Sequence, residues 1–208
     1  MLEASWGLFV VASLLLIVTP GQDMVLVMSR SIAQGAAAGV ATAAGVSIGL
    51  VGHTLLATLG LGAILQASEL LFTVLKLAGA AYLVWLGIQL LRHDGAALAL
   101  SAGSTQSLGR LFLAGALSNI SNPKIAIFYF AFLPQFVTPG ADRPTLVVLA
   151  LGLVFAALTF LVKGPVGLGA GLLSHWLRAR PRALTWLYRS SGAVLIGLGL
   201  RLAFERRA

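Results

Sequence analysis

Asp23 and Lys124 are the charged side chains best suited to chemistry, because each lies beside an interruption in an apolar stretch long enough to cross a membrane. Charges at that depth are costly, and they usually line a solute pathway or relay protons. Residues 19–23 read Thr-Pro-Gly-Gln-Asp, and residues 119–124 read Asn-Ile-Ser-Asn-Pro-Lys. The same two segments therefore carry the charges and break the helices around them.

The first break follows from Pro20 and Gly21. Pro20 cannot donate a backbone hydrogen bond and Gly21 relaxes the restriction on φ, so a helix should end near Val18 and restart near Gln22. The restart places Asp23 in a first turn, where the helix dipole favours negative charge. Interrupted backbone is tolerated in a membrane where protein covers it or where it lines a cavity. One break in each half of the chain predicts the central site of a transporter.

Polar side chains near the breaks complete the candidate site. His53 lies in the second apolar span, where it could relay protons or contact substrate, or else hydrogen-bond across a helix interface; both uses stay open. The residues predicted to bind substrate or couple transport are Thr19, Pro20, Gly21, Gln22, Asp23, His53, Asn119, Asn122, Pro123 and Lys124.

The composition places the chain in lipid. Hydrophobic residues make up 59% of the 208 residues and charged residues only 10%, whereas a soluble domain carries roughly 25% charged residues. The net charge of +8 comes from arginines grouped between apolar runs, which is the positive-inside pattern of membrane loops and predicts no nucleic-acid binding. The absence of cysteine excludes disulfides and thiolate metal sites.

Apolar spans of helical length predict an all-α integral membrane protein with six transmembrane helices. The spans cover about residues 5–28, 36–61, 70–91, 111–136, 145–173 and 184–203. Residues 1–94 and 110–208 each hold three spans, and residues 95–109 predict a flexible linker. Because three is odd, the halves have opposite orientation, which gives a 3+3 inverted repeat with broken first and fourth helices. A weak internal repeat, KLAGA at 76–80 and RSSGA at 189–193, supports this division.

Two features of the spans need an interpretation. Glycines in the second span recur mostly at intervals of three, four or seven residues, a pattern that would serve internal packing or a homodimer interface equally well. In the fifth span, Gly164 and Pro165 predict a kink. Lys163 beside them is predicted to extend to the nearer membrane interface, the alternative being that it faces the central cavity.

Several motifs form a set in a fixed order along the chain. They are Thr19-Pro20-Gly21 with Asp23, the second-span glycines with His53, residues 75–83 and 86–87, Asn122-Pro123-Lys124, and residues 132–136 and 191–199. Together they resemble the LysE/RhtB family of bacterial inner-membrane amino-acid exporters over nearly the full length. Gln22 departs from the family pattern, which usually has a second proline there. The resemblance implies a multi-pass inner-membrane protein that exports amino acids or close relatives in exchange for protons.

A zwitterionic substrate needs a cationic partner for its carboxylate and an anionic partner for its ammonium group. Lys124 and the N-termini of the restarted helices could serve the carboxylate. Asp23, carbonyls of the first break, and the amide oxygen of Asn119 or Asn122 could serve the ammonium. A buried carboxylate can also take up a proton, so we hypothesise that Asp23 alternates between proton and substrate. The competing interpretation is that Asp23 and Lys124 simply pair and hold the halves together.

Other functions fit the sequence less well. A divalent metal transporter would need clustered carboxylate, histidine or thiolate ligands, and the spans offer only Asp23 and His53 at useful positions. An enzyme would need a nucleophile and an orienting acid near its base, and His53 has neither in view. A structural scaffold has no need of polar breaks. The sequence therefore predicts no enzyme activity and no cofactor, and the expected partners are an amino acid, protons and the bilayer.

The distribution of Lys and Arg predicts the orientation. Loops one, three and five are more basic than loops two and four, which places both termini outside the cytoplasm, although the basic tail argues the other way. A reporter that is active only in the periplasm should therefore work when fused after Ala208. Activity there of a reporter that works only in the cytoplasm would contradict this topology.

Overall fold

The chain folds into helices joined by short connections. The computed structural model describes residues 4–67, 69–92, 106–138, 141–170, 172–173 and 180–204. Its helices are α1 (Trp6–Val18), α2 (Gln22–Gln34), α3 (Ala36–Ala67), α4 (Glu69–Leu91), α5 (Leu108–Ile120), α6 (Pro123–Phe132), a short 3-10 helix (Leu133–Phe136), α7 (Pro144–Leu168) and α8 (Pro181–Phe204). The all-α prediction is confirmed for these residues, and most of the predicted linker, residues 95–105, lies outside them.

The first predicted break is confirmed at the expected residues. Helix α1 ends at Val18, α2 begins at Gln22, and the chain bends by 51° between them. Gly21 is the N-cap of α2, with extended backbone and no side chain that could accept a hydrogen bond. The first-turn amides of α2 therefore lack the side-chain acceptor that commonly caps a helix.

The second predicted break is confirmed as well. Helix α5 ends at Ile120 and α6 begins at Pro123, whose fixed φ and missing N–H suit the first position of a helix. The side-chain oxygen of Asn122 accepts a hydrogen bond from the backbone N–H of Lys124 at 3.0 Å. Asn122 is therefore the cap of α6, and the Asn-Pro-Lys motif marks a helix start.

Length and composition identify membrane spans in only part of the described chain. Ala36–Gly60 and Pro144–Leu168 are each long and apolar enough to cross a bilayer, and the bent pair of α1 and α2 qualifies as a third span. Lys76–Leu91 and Leu108–Ile120 are shorter apolar helices. These features are consistent with a membrane protein, whereas the six-span 3+3 repeat remains a prediction.

Glycines bring the backbone of α3 into direct contact with its neighbours. Helix α3 packs against α5 and α7. A Cβ at Gly45 would overlap the carbonyl oxygen of Phe112 on α5, and one at Gly39 would lie 2.8 Å from Cα of Gly167 on α7. Of the two uses left open for the glycine spacing, internal packing is the one that the structure shows at these positions.

Helices α4 and α8 form a second closely packed pair. A Cβ at Gly87 would lie 2.6 Å from the carbonyl oxygen of Gly192, and one at Gly199 would lie 2.8 Å from that of Ala80. The fold thus contains two groups of helices, α3 with α5 and α7, and α4 with α8.

Helix α7 remains helical through Pro165, beside which the sequence analysis predicts a kink, and it ends at Leu168.

Replacing Gly45 by alanine should lower the free energy of unfolding by about 1–3 kcal/mol, the usual cost of overpacking, because the new methyl group would overlap the Phe112 carbonyl. Gly197 in α8 is the matched control, since nothing lies within 4 Å of a Cβ built there. Gly197→Ala should be neutral or stabilising by up to about 1 kcal/mol. Thermal unfolding of the detergent-purified variants measures both, and equal melting temperatures would contradict the close helix contact.

Candidate functional site

A cavity of about 340 Å³ lies between the two helix breaks. Its volume is within the range of small-molecule sites, roughly 300–1,000 Å³. Apolar side chains form most of its wall, and polar groups gather where the helices are interrupted. The lining residues are Leu16, Ile17, Thr19, Pro20, Gly21, Gln22, Asp23, Leu50, Tyr82, Leu86, Leu90, Asn122, Lys124, Ile125, Phe128, Tyr129, Phe155, Thr159, Lys163 and Leu195. Among the predicted site residues, all but His53, Asn119 and Pro123 line this cavity.

Asp23 joins three helices through one carboxylate oxygen. Its Oδ2 accepts a hydrogen bond from the side-chain amide of Asn119 at 2.9 Å and lies 3.3 Å from the ammonium nitrogen of Lys163. The side chains of the ion pair are only 10% and 11% exposed. Because Asp23 comes from α2, Asn119 from α5 and Lys163 from α7, segments far apart in sequence meet at a single atom.

Lys163 is where the sequence prediction is wrong. The residue is buried and lines the cavity, whereas the sequence analysis expects it to extend to the membrane interface. It lies one helical turn after Thr159 on the face of α7 that borders the cavity, and there the Asp23 carboxylate compensates its charge. An uncompensated buried ammonium costs several kcal/mol. Asp23 therefore pairs with Lys163, and the alternative of a pair between Asp23 and Lys124 is wrong as well.

Lys124 lines the same cavity from the second break but is exposed. It occupies the second residue of α6, where the positive end of the helix dipole disfavours a cation. The stability of α6 therefore does not explain a lysine at this position. The hydroxyl of Tyr82 donates to the Lys124 backbone carbonyl at 3.1 Å and ties α4 to the start of α6.

The two breaks contact each other directly. The side-chain amide of Asn122 donates a hydrogen bond to the side-chain oxygen of Gln22 at 3.3 Å. Gln22 stands where the family resemblance leads one to expect a second proline, and a proline could not make this bond. The two breaks, which the sequence analysis assigns to one central site, therefore lie against each other.

His53 and Asn119 lie behind the cavity wall. His53 is 2% exposed, and its Nε2 donates to the backbone carbonyl of Asn119 at 3.0 Å. Gly49 leaves room for the Asn119 side chain, because a Cβ there would lie 2.8 Å from its amide oxygen. Of the two uses predicted for His53, the structure shows the hydrogen bond across a helix interface, here between α3 and α5.

The first break is held by Tyr188 and Ser191 of α8. The sequence analysis does not identify either residue as part of the site. The hydroxyl of Tyr188 donates to the Pro20 carbonyl at 2.6 Å. The hydroxyls of Ser191 and Thr19 lie 2.5 Å apart, and each is within hydrogen-bonding distance of the Leu15 carbonyl. The Tyr188 hydroxyl thus supplies a hydrogen bond to a carbonyl inside the interruption, whereas the Leu15 carbonyl also keeps its helical bond from the Thr19 N–H. The only signal in the sequence is that Ser191 falls within the weak internal repeat.

Neither metal binding nor nucleophilic catalysis gains support from this geometry. The described part of the chain contains no group of three or more His, Cys, Asp or Glu side chains that could hold a metal ion. Residues 45–49 read Gly-Val-Ser-Ile-Gly, but they lie inside the continuous helix α3. A nucleophile elbow with this spacing requires a sharp turn from strand to helix, so Ser47 lacks the geometry of a catalytic nucleophile.

Comparison with known proteins finds relatives over nearly the whole chain. A homoserine/homoserine lactone efflux protein of Salmonella typhimurium is 36% identical over 207 residues, which covers 98% of each chain. An uncharacterized membrane protein of Vibrio cholerae is 31% identical over 199 residues, 95% of this chain and 96% of the relative. A leucine efflux protein of Klebsiella pneumoniae is 27% identical over 200 residues, 94% of this chain and 92% of the relative. No solved structure matches the chain.

The family match covers the site as well as the fold. Residues 14–206 match the LysE type translocator family. This stretch contains both helix breaks, the Asp23–Lys163 pair and every residue that lines the cavity. The length of the match and the full-length relatives show that this chain belongs to the LysE type translocator family.

Proposed function

We propose that this protein is a secondary active exporter of amino acids or close derivatives in a bacterial inner membrane, and that it exchanges them for protons. The observation that carries the proposal is the cavity between the two helix breaks, to which Asp23 and Lys124 contribute opposite charges. A zwitterion carries the complementary pair of charges. Since apolar side chains form most of the wall, the site can also accept the side chain of an amino acid.

The names of two relatives support this substrate class. The Salmonella typhimurium relative is named for efflux of homoserine and its lactone, and the Klebsiella pneumoniae relative for efflux of leucine. Homoserine and leucine share the α-amino and α-carboxylate groups and differ in their side chains. The shared groups suit the polar end of the cavity, and a variable side chain suits the apolar wall formed by Phe128, Phe155 and Leu195.

We assign the substrate carboxylate to Lys124 and the first turn of α2. Lys124 is the exposed cation of the cavity, and a helix N-terminus attracts anions through its free N–H groups. The N-cap of α2 is Gly21, and a Cβ built there would meet nothing within 4 Å. A ligand can therefore approach the α2 backbone closely at this point.

We assign the substrate ammonium to Asp23. The Asn119 amide already donates to this carboxylate at 2.9 Å, so Asn119 orients the anion and its own contact with substrate is not needed. His53 holds the Asn119 backbone from the other side. The coupled proton then resides on a member of the Asp23–Lys163 pair, because these ionisable groups are buried together in the cavity.

The packing supports a 3+3 inverted repeat of α1–α4 and α5–α8. Each proposed repeat begins with a broken helix and continues with two longer helices. The counterparts pack together, since α3 lies against α7 and α4 against α8. Counterpart helices would contact each other in this way if a pseudo-twofold axis in the plane of the membrane relates the two repeats.

The proposed function predicts efflux that a proton gradient accelerates. Proteoliposomes that contain the purified protein should release labelled homoserine, leucine or another amino acid of a neutral panel, and should release it faster with a proton gradient than without one. The same measurement on protein-free vesicles gives the background leak. Release of no amino acid above that leak would contradict the proposal.

Asp23→Asn should abolish proton-coupled export, because the amide keeps the size of the carboxylate but offers no charge to an ammonium group. A reduction of about a hundredfold or more in transport at limiting substrate is expected. Asp142→Asn is the matched control, since Asp142 is exposed in the turn before α7, and it should transport as the wild type does. Undiminished efflux by a folded Asp23→Asn variant would rule out the assigned role.

Asn119→Leu should reduce transport at limiting substrate by about tenfold to a hundredfold, because a hydrogen bond to a charged group contributes about 1.5–3 kcal/mol. The control is a double-mutant cycle with Asp23→Asn. Once Asp23 has lost its charge, the substitution of Asn119 should have little further effect on residual exchange. Additive losses in the double variant would show that Asn119 acts independently of Asp23.

A further inference from the structure

Lys163 occupies the place that a substrate ammonium group would need. Its Nζ lies 3.3 Å from Oδ2 of Asp23, and both residues line the cavity. Asp23 is the only carboxylate among the described residues of the cavity wall. An ammonium group that arrives with a substrate therefore competes with Lys163 for one anion, since two cations beside it repel each other.

A displaced Lys163 would find no second anion in the described wall of the cavity. The other ionisable side chains that face the site from the packed helices are Tyr82 on α4, Lys124 and Tyr129 on α6, and, one layer behind, His53 on α3 and Tyr188 on α8. Lys124 would repel the displaced cation, and Phe155 on α7 has no negative charge that could replace the carboxylate. An uncompensated ammonium at this depth costs several kcal/mol, and loss of its proton removes that cost.

We propose that Lys163 carries the coupled proton, and that binding of a substrate ammonium to Asp23 releases it. This inference rests on the proposed function and names the coupling group of that same site. It differs from the hypothesis that Asp23 itself alternates between proton and substrate. Asp23 stays ionised throughout and exchanges one ammonium partner for another.

The transport cycle balances in protons and charge. In the empty transporter that faces the cytoplasm, Lys163 is an ammonium group paired with Asp23. When a zwitterion binds, its ammonium group replaces Lys163 as the partner of the Asp23 carboxylate. An N–H bond of Lys163 then breaks, and the proton passes to water on the cytoplasmic side. After the substrate has left on the other side, the Lys163 amine takes a proton from water there and pairs with Asp23 for the return. Each exported amino acid thus brings one proton inward.

Substitutions of Lys163 should have different effects if the ion pair is only structural and if Lys163 carries the coupled proton. The guanidinium of arginine stays charged at every accessible pH and can keep the pair with Asp23. Methionine has a similar length but no charge. If the pair only holds α2 against α7, Lys163→Arg should behave as the wild type. If Lys163 must lose its proton, Lys163→Arg should fold and yet fail to couple transport to the gradient.

The test uses proteoliposomes with an acidic lumen and labelled L-homoserine as the probe, with L-leucine as a second probe. The wild type should accumulate the probe as protons leave. Both Lys163→Met and Lys163→Arg should lose about tenfold or more of this gradient-driven accumulation, and a wild-type size-exclusion profile of each purified variant shows that it is folded. Arg110→Met removes an exposed charge at the start of α5, away from the cavity, and should match the wild type.

Proton release measured with a pH dye separates Lys163 from Asp23 as the carrier. Addition of L-homoserine to the purified wild type in weak buffer should release protons, and addition to Lys163→Met should release none. Wild-type accumulation by Lys163→Arg, or proton release from Lys163→Met, would overturn the inference and leave the exporter function standing. If the wild type exchanges no amino acid of the neutral panel, the proposed function fails and the inference fails with it.

Discussion

The arrangement of this protein depends on one constraint: backbone that is interrupted inside a hydrocarbon layer must find its hydrogen bonds within the protein. The first break meets this constraint through α8, where Tyr188 bonds the Pro20 carbonyl and Ser191 lies against Thr19 and Leu15. The second break meets it locally, because Asn122 caps α6. Once both interruptions are held in this way, polar groups of both breaks line one cavity.

A single carboxylate then organises the charges of that cavity. Asp23 is held by an amide from α5 and an ammonium from α7, so the position of the anion depends on three helices at once. Lys124 is not a partner of Asp23, and its charged side chain is exposed at the start of α6. One side of the cavity therefore carries a compensated ion pair, and the other carries an exposed cation.

The first break could be predicted near the residues where it occurs and the second within residues 119–124, because Pro20, Gly21 and Pro123 act on their own backbone and need no knowledge of the fold. The partner of Asp23 could not be predicted, since it depends on how α7 is rotated about its axis. The sequence around Lys163, with Gly164 and Pro165 next to it, does not indicate that rotation. The general tendency of lysine to place its ammonium group in water led to the wrong prediction. His53 was ambiguous for the same reason: the sequence places it in a span, but only the packing of α3 on α5 shows what its ring contacts. The rest of the candidate site followed from the breaks, because most of its residues are neighbours in sequence.

The glycine contacts have a mechanical consequence. At the contacts of Gly39 with Gly167 and of Gly87 with Gly192, the backbones of neighbouring helices meet directly, which leaves little room for the helices to slide past each other. Each group of helices should therefore move as a stiff body, and shear within it should be resisted. The wall of the cavity draws residues from both groups, Thr159 and Lys163 from one and Tyr82 and Leu195 from the other. The cleft thus coincides with the joint between two stiff bodies, so a small rocking of one against the other would open it on one side of the membrane while closing it on the other.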